Sequence, residues 1–364
     1  MLAYVFVFHA DGGDFYPNWR AARAVLDGMP AYARYDWPFP YLYPPGFLMP
    51  MLPLGMLDFH LANRVFFVIN TFCLGLGTLL CMRLCRLRLR SPLTPLVLGF
   101  LSLTPPVLIT LIQGNVNGLL LAGEGAFLLL ASRNRWAAAG LALGLTLLVK
   151  PLLLPLLVVP ILWRRFDALL LALVVPIGLS ILAFPLLRDG TAFLTQAVPY
   201  LLRGETGNAL GNTTIAGAFA LLQLPMWSAT LARILVVAAG CTAILRTPRV
   251  GELGLIHVTA VALLMAFAGF SFSSQYFALY LLPLVLSAGL PGAWMSGWLG
   301  WTGVYLVDGA DLFVFYRAGK LLGVGPAIGT VRSTLGYLVL LIGLVMAAWR
   351  RRPARESAGP LPGG

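Results

Sequence analysis

The sequence predicts an all-α polytopic membrane protein, and three observations predict it. The 364 residues are 59% hydrophobic and 10% charged. Apolar runs recur at close to the length that crosses a hydrocarbon core of ~30 Å. The basic residues stand in short clusters between those runs. No segment has the polar composition of a soluble domain, so residues 1–350 read as one membrane domain with a first outer loop over 10–60. Residues 351–364 read as a disordered cytoplasmic tail.

A net charge of +12 would suit nucleic acid if it formed one stripe, but the clusters alternate with apolar runs, so no nucleic-acid partner is expected. They are Arg83, Arg86, Arg88 and Arg90; Arg133 and Arg135; Arg164 and Arg165; Arg246 and Arg249; and Arg350, Arg351, Arg352 and Arg355. Positive-inside topology accounts for them if an even number of spans separates successive clusters. Counted from Arg83 to Arg90, the pattern fits. Residues 94–112 go out and 116–132 return; 137–149 and 152–163 form a short pair; 167–187 go out and 226–245 return. Then 253–270 and 276–290, and 294–307 and 333–349, repeat the motion. Residues 61–82 enter from outside, which makes the short run 1–9 the end of an outward-going first span. The total is about twelve spans.

Two further pieces in the first outer loop are too short to cross. NWRAARAVLDGMP reads as an amphipathic helix with Trp19, Ala22, Val25 and Leu26 on its apolar face, ended by Gly28 and Pro30. FLMPMLPLGML follows Tyr43, Pro44 and Pro45 as a second interfacial helix. The four cysteines have no metal-ligand spacing and no outer pair for a disulfide, and the three histidines are scattered. No metal and no cofactor are expected.

The acid distribution places the chemistry. Of 13 acidic residues, Asp167, Glu252 and Glu356 fall on the inner side and Glu124 within a span, leaving the other nine outside. Asp14, after a Gly-Gly pair and beside Phe15, Tyr16 and Trp19, is placed to accept a proton from a hydroxyl at the membrane boundary; a helix cap is the other reading, and Asp11 is the weaker candidate. Lys150 stands inside LTLLVKPLLLPLL, where a cation costs roughly 2.5–3.5 kcal/mol without a counter-charge or water. A lipid phosphate fits that requirement, and so does snorkelling at a helix end. Gln113, Asn115 and Asn117 of QGNVNG offer donors and acceptors suited to sugar hydroxyls or to interhelical bonds. GNALGNTTIAG offers Asn212 in the same way, with capping as the other reading. FSFSSQYFALYLLP carries Ser273, Ser274, Gln275 and Tyr276 to the same side. No nucleotide-binding motif is present, so a sugar donor would have to be lipid-linked.

These residues, taken in order, resemble the polyprenol-phosphate-mannose-dependent mannosyltransferases of glycosyltransferase family 87. The resemblance runs through DGGDFYPNWRAARAVLDGMPAY, YLYPPGFLMPMLPLGML, QGNVNGLLLA, LLVKPLLLPLL, GNALGNTTIAG and SSQYFALYLLPL. It implies a GT-C-type fold with two interfacial helices in the first outer loop. It also implies metal-independent, inverting transfer of a hexose, mannose, from a polyprenyl-phosphate donor to a glycan or glycolipid acceptor. The active site would face the extracytoplasmic, periplasmic side of the inner (plasma) membrane, among membrane lipids. Asp14 falls on the catalytic aspartate of that pattern. Lys150, with Arg64 and Arg34, would hold the donor phosphate; Tyr43, Gln113, Asn115, Asn117, Asn212, Gln275 and Tyr276 would contact sugar or acceptor. Gln275 stands where the pattern often has histidine. A transporter or flippase, and a membrane scaffold, are the competing classes. The absence of an internal repeat and the scarcity of acid within the spans disfavour the transporter.

Overall fold

The protein is described here from a computed structural model, which covers residues 12–33, 41–88, 90, 93–102, 104–203, 212–269, 275–308 and 327–350. The run 1–9, Asp11, Arg34, Ser273, Ser274, Lys320 and the 351–364 tail lie outside the described residues, as do the side chains of Gln275 and Tyr276.

Among the described residues there is no strand, and the α-helices in chain order are α1 (Tyr16–Leu26), α2 (Pro45–Gly55), α3 (Phe59–Leu84), α4 (Leu93–Ser102), α5 (Pro105–Gln113), α6 (Asn117–Ser132), α7 (Trp136–Val149), α8 (Val158–Leu162), α9 (Phe166–Ala183), α10 (Val198–Arg203), α11 (Ile215–Leu221), α12 (Met226–Arg246), α13 (Gly251–Gly269), α14 (Leu282–Leu286), α15 (Trp298–Asp308) and α16 (Ala327–Arg350). Among the described residues five helical stretches are long and apolar enough to cross a membrane: α3, Phe166–Leu186, α12, α13 and Ile328–Arg350. The chain is a multi-pass, all-helical membrane protein.

Proline divides several other apolar runs. The expected single span 94–112 is two helices, α4 and α5, because Pro105 and Pro106 hold Thr104 in an extended conformation (ψ 143°) that ends one helix before the next begins. Pro151 and Pro155 make Pro151–Leu157 a 3-10 helix ahead of α8. The run 276–290 is built from 3-10 turns Gln275–Leu281 and Ser287–Gly289 around α14. Each proline removes a backbone donor and crowds the preceding turn.

Small residues set the helix pairing. Asn70, Gly77 and Leu80 of α3 lie against Gly118, Leu121 and Gly125 of α6 in ascending order, so these two helices run parallel. Gly140 meets Ala168 and Gly144 meets Ala172, so α7 and α9 are also parallel. Gly303 faces Leu340 and Gly336 faces Val307, so α15 and α16 are antiparallel. Close backbone approach through glycine is the usual means of helix association in lipid, where apolar side chains gain nothing by leaving the solvent.

The arginine clusters terminate helices as well as marking their ends. Arg86, Asn134 and Arg164 adopt left-handed φ of 57°, 59° and 54°. The following amides close back five residues: Leu87 N to Met82 O at 2.9 Å, Arg135 N to Leu130 O at 2.9 Å and Arg165 N to Pro160 O at 2.8 Å. These are Schellman caps, and the cations stand where the helix dipole is negative. Cross-links gather the same ends: Arg86 pairs with Glu252 at 3.0 Å, Arg165 bonds Asn134 at 2.9 Å, and Arg246 lies 3.7 Å above the Trp349 ring.

In the first outer loop both short helices form, 11 residues each. The packed face of α1 includes the expected Trp19, Ala22 and Val25 but not Leu26. Asn18, Ala21, Ala22 and Ala24 are its buried residues, while Leu26 is 45% exposed. The cause is close packing on α2, where a Cβ on Gly55 would stand 3.0 Å from Ala22; only small side chains fit that seam.

A methyl group on Gly140 would run into the Ala168 backbone, whereas Gly178 has nothing within 4 Å. Gly140→Val is therefore expected to cost about 1–3 kcal/mol by overpacking the α7/α9 seam. Gly178→Ala should be neutral or stabilising by up to about 1 kcal/mol through helix propensity. Thermal melting of the detergent-solubilised protein checks both.

Candidate active site

The segment Gly12–Phe15 is docked onto the end of α5 by its backbone. Asp14 N donates to Gln113 O at 2.8 Å, Phe15 N to the same oxygen at 3.3 Å, and Gly12 N to Ile112 O at 3.4 Å. Two glycines allow this approach. Gly12 has φ +61° and sits against the Asn63 amide; Gly114 has φ +65°, and a Cβ there would stand 2.8 Å from Phe15 Cβ. Aromatic rings secure the other side. Phe15 is fully buried and stacks on Phe66 at 4.5 Å, Tyr16 and Trp19 each meet Phe59 edge-on at 5.4 Å, and Trp19 Nε1 donates to Leu57 O at 3.1 Å. Stacking of this kind adds about 0.5–1.5 kcal/mol per pair beyond area burial.

The carboxylate itself is fixed by one amide. Asn115 Nδ2 donates to Asp14 Oδ2 at 2.5 Å, and Asn18 Nδ2 holds the Asp14 carbonyl at 3.0 Å. Among the described residues nothing bonds Oδ1. Asp14 is partly exposed, whereas Asn115 is buried. One oxygen is thus anchored and the other makes no bond to the described residues, an arrangement that suits a proton acceptor.

Lys150 stands at the turn between α7 and the 3-10 helix, in extended conformation before Pro151. Its Nζ lies 5.7 Å from the Tyr43 ring centre and 5.6 Å from that of Phe277, within cation–π range. Burial disfavours the ammonium, and the Asp14 carboxylate favours it. Lys150 is thus held beside two rings and within the field of Asp14.

Tyr43 is held from above. Asp189 accepts from Ala31 N at 2.8 Å and Tyr32 N at 2.7 Å, and Tyr32 OH donates to Tyr43 O at 2.9 Å. Burial first, then the Asp189 carboxylate, raises the Tyr32 phenol well above its usual range, so it remains a donor. Burial does the same to Tyr41, with Tyr32 and Tyr43 adding to it.

The remaining candidates separate. Gln113 contributes its backbone carbonyl to the docking of Asp14. Asn117 is fully buried, donating to Thr110 Oγ1 at 3.1 Å and accepting from Tyr280 OH at 2.6 Å, so its amide is engaged inside the protein. Asn212 accepts from Thr214 N at 3.3 Å, ahead of a Thr214 cap on α11, and neighbouring Thr213 accepts from Thr334 of α16 at 3.0 Å. Arg64 is exposed on α3, next to Asn63, which touches Gly12. The backbone of Gln275 and Tyr276 begins the 3-10 helix whose Phe277 and Tyr280 reach Lys150 and Asn117. Asn18, Asn63, Asn70, Phe277 and Tyr280 belong to this region and were not marked by their sequence context; only the unusual presence of amides within apolar helices could have flagged Asn63 and Asn70. Among the described residues no group of three or more His, Cys, Asp or Glu could hold a metal ion.

Asp189→Ala would leave the Ala31 and Tyr32 amides unpartnered, at a cost of about 1–3 kcal/mol. Hydrogen exchange should quicken by about tenfold or more at those two amides and stay unchanged within α6.

Comparison with known proteins identifies the family. The family model for Glycosyltransferase family 87 matches residues 41–274, a stretch that includes Tyr43, Asn115 and Lys150 and follows Asp14. An alpha-(1->3)-arabinofuranosyltransferase of Mycobacterium tuberculosis is 34% identical over 342 residues, 90% of this chain and 77% of the relative. The proteins of that name from Mycolicibacterium smegmatis and Corynebacterium glutamicum are 31% and 28% identical, covering 90% of this chain and 77% and 79% of their own lengths. No solved structure matches the chain. On the family match and these relatives, the chain belongs to glycosyltransferase family 87 and is a membrane glycosyltransferase.

Proposed function

We propose that the enzyme transfers an arabinofuranosyl unit from a polyprenyl-phosphate donor to a hydroxyl of a glycan or glycolipid acceptor, with inversion and with Asp14 as general base. The observation that carries this reading is the Asp14 carboxylate, with Oδ2 bonded to Asn115 and Oδ1 open, in electrostatic contact with Lys150. The sugar follows the names of the relatives. A pentose in furanose form replaces the hexose, mannose, that the resemblance implied. Family membership also removes the ground for a transporter or scaffold reading.

The acceptor oxygen gives its proton to Asp14 Oδ1 as it bonds to the anomeric carbon, and the bond from that carbon to the phosphate oxygen breaks on the opposite face. The leaving polyprenyl phosphate gains negative charge, which the Lys150 ammonium offsets where water is scarce. The Tyr43 and Phe277 rings that flank Lys150 offer apolar faces to the sugar or the first isoprene unit. In this account Asn117, sealed between Thr110 and Tyr280, shapes the pocket without contacting sugar.

Sidedness belongs to the same proposal. The arginine-capped ends of α3, α6, α12 and α16 face the cytoplasm under the positive-inside rule. Asp14 and Lys150, at the opposite ends of α6 and α7, then open to the extracytoplasmic side of the inner membrane. The twelve-span GT-C layout, with α1 and α2 lying in the interface, is the arrangement we propose for the whole.

Asp14→Asn keeps the size and loses the base. It should lower transfer from polyprenyl-phosphoryl arabinofuranose to an octyl arabinofuranoside acceptor by about 10²–10⁴-fold, in membranes holding equal amounts of folded protein. Full activity in that variant, or use of the mannosyl donor in preference, would contradict the reading.

A further inference from the structure

The amide that fixes Asp14 is itself fixed from inside the membrane domain. Asn70 is fully buried in α3, where an unpaired primary amide would cost several kcal/mol. Both halves of its side chain are used on one loop. Asn70 Nδ2 donates to Asn115 O at 2.7 Å, and Asn70 Oδ1 accepts from Gly118 N at 3.0 Å. Asn115 N donates to Thr110 O at 2.9 Å. The main chain of Asn115 is therefore held at both its N–H and its C=O, leaving its short side chain little freedom other than to reach Asp14 Oδ2 at 2.5 Å. Gly118 completes the fit, since any Cβ there would run into the Asn70 amide.

We propose that Asn70 is a positioning residue for glycosyl transfer. It acts through Asn115 to aim the Asp14 carboxylate, and neither amide contacts substrate as its main role. This rests on the reading of Asp14 as the base. A purely interhelical bond between α3 and α6 would also satisfy Asn70, but such a bond would act on stability and leave the turnover of folded enzyme alone. A relay acts on turnover, because a displacement of about 1 Å at a reacting group can cost about 100-fold in rate.

The test is a double-mutant cycle in the full-length enzyme, assayed with polyprenyl-phosphoryl arabinofuranose and an octyl arabinofuranoside, beside Asp14→Asn. Asn115→Ala removes only the bond to Asp14; Asn70→Leu removes only the clamp behind it. Each should lower kcat by about 10- to 100-fold with KM held within about two-fold. The double variant should be no slower than Asn115→Ala alone, because both act on one path. Asn70→Ser, smaller than the amide and free of overpacking against Gly118, supplies a second reading that does not depend on the fate of Asn70→Leu; it should lower kcat in the same way with KM held. A kcat within about two-fold of wild type for folded Asn70→Leu or Asn70→Ser, or multiplied losses in the double variant, overturns the relay. If Asp14→Asn is inactive while the Asn70 variants are normal, only the relay fails. Full activity in Asp14→Asn removes the base assignment on which it rests.

Discussion

The hydrogen bond from Asn115 to Asp14 is the interaction on which the rest of the site depends. A carboxylate at the edge of a membrane protein would ordinarily sample many orientations in water. Here its backbone is tied to the end of α5, its neighbouring rings are stacked on α3, and one of its oxygens is bonded to a buried amide. The fixed oxygen gives direction to the free one. A glycosyl transfer that relies on a single base gains most from that order, since reacting groups held at attack distance avoid much of the entropic cost of meeting.

The bundle supports this arrangement at its broken places. The long helices α3, α12, α13 and α16 supply the span. The short and proline-divided ones, α5, α7 with its following 3-10 helix, and Gln275–Leu281, bring polar groups to one another where they end. Irregular backbone in a membrane protein is tolerated where it is buried in protein or lines a cavity. Lys150 lies at one of these breaks, Asn115 at a second, and Phe277 and Tyr280 in a third.

Much of this was legible beforehand, for physical reasons. Apolar length and arginine clustering follow directly from the bilayer, so the helical membrane fold and the ends of α3, α6 and α12 could be read closely. Asp14, Asn115 and Lys150 stood out because charge and amide are expensive in an apolar chain, and the structure brings them together. Proline breaks within 94–112 and 276–290 were less legible, because hydropathy averages over a turn that a Pro-Pro pair interrupts. The packed face of α1 was read in part: Trp19, Ala22 and Val25 lie against the core as expected, whereas Leu26 is exposed and the close seam is set by small residues against Gly55. Asn70 and Asn63 were passed over as isolated amides in a long span; their meaning lies in contacts with residues about 50 positions away, which no local pattern records. Asn117 shows the converse, since its composition suits sugar while its amide is engaged by Thr110 and Tyr280.

The most direct measurement is a cryo-EM structure of the enzyme with a non-hydrolysable phosphonate analogue of polyprenyl-phosphoryl arabinofuranose and an arabinofuranoside acceptor. The account predicts the acceptor hydroxyl within about 3 Å of Asp14 Oδ1, the phosphonate against Lys150, and Oδ2 still bonded to Asn115. A phosphonate bound away from Lys150, or an acceptor hydroxyl beyond reach of Asp14 with a different group beside it, would contradict it.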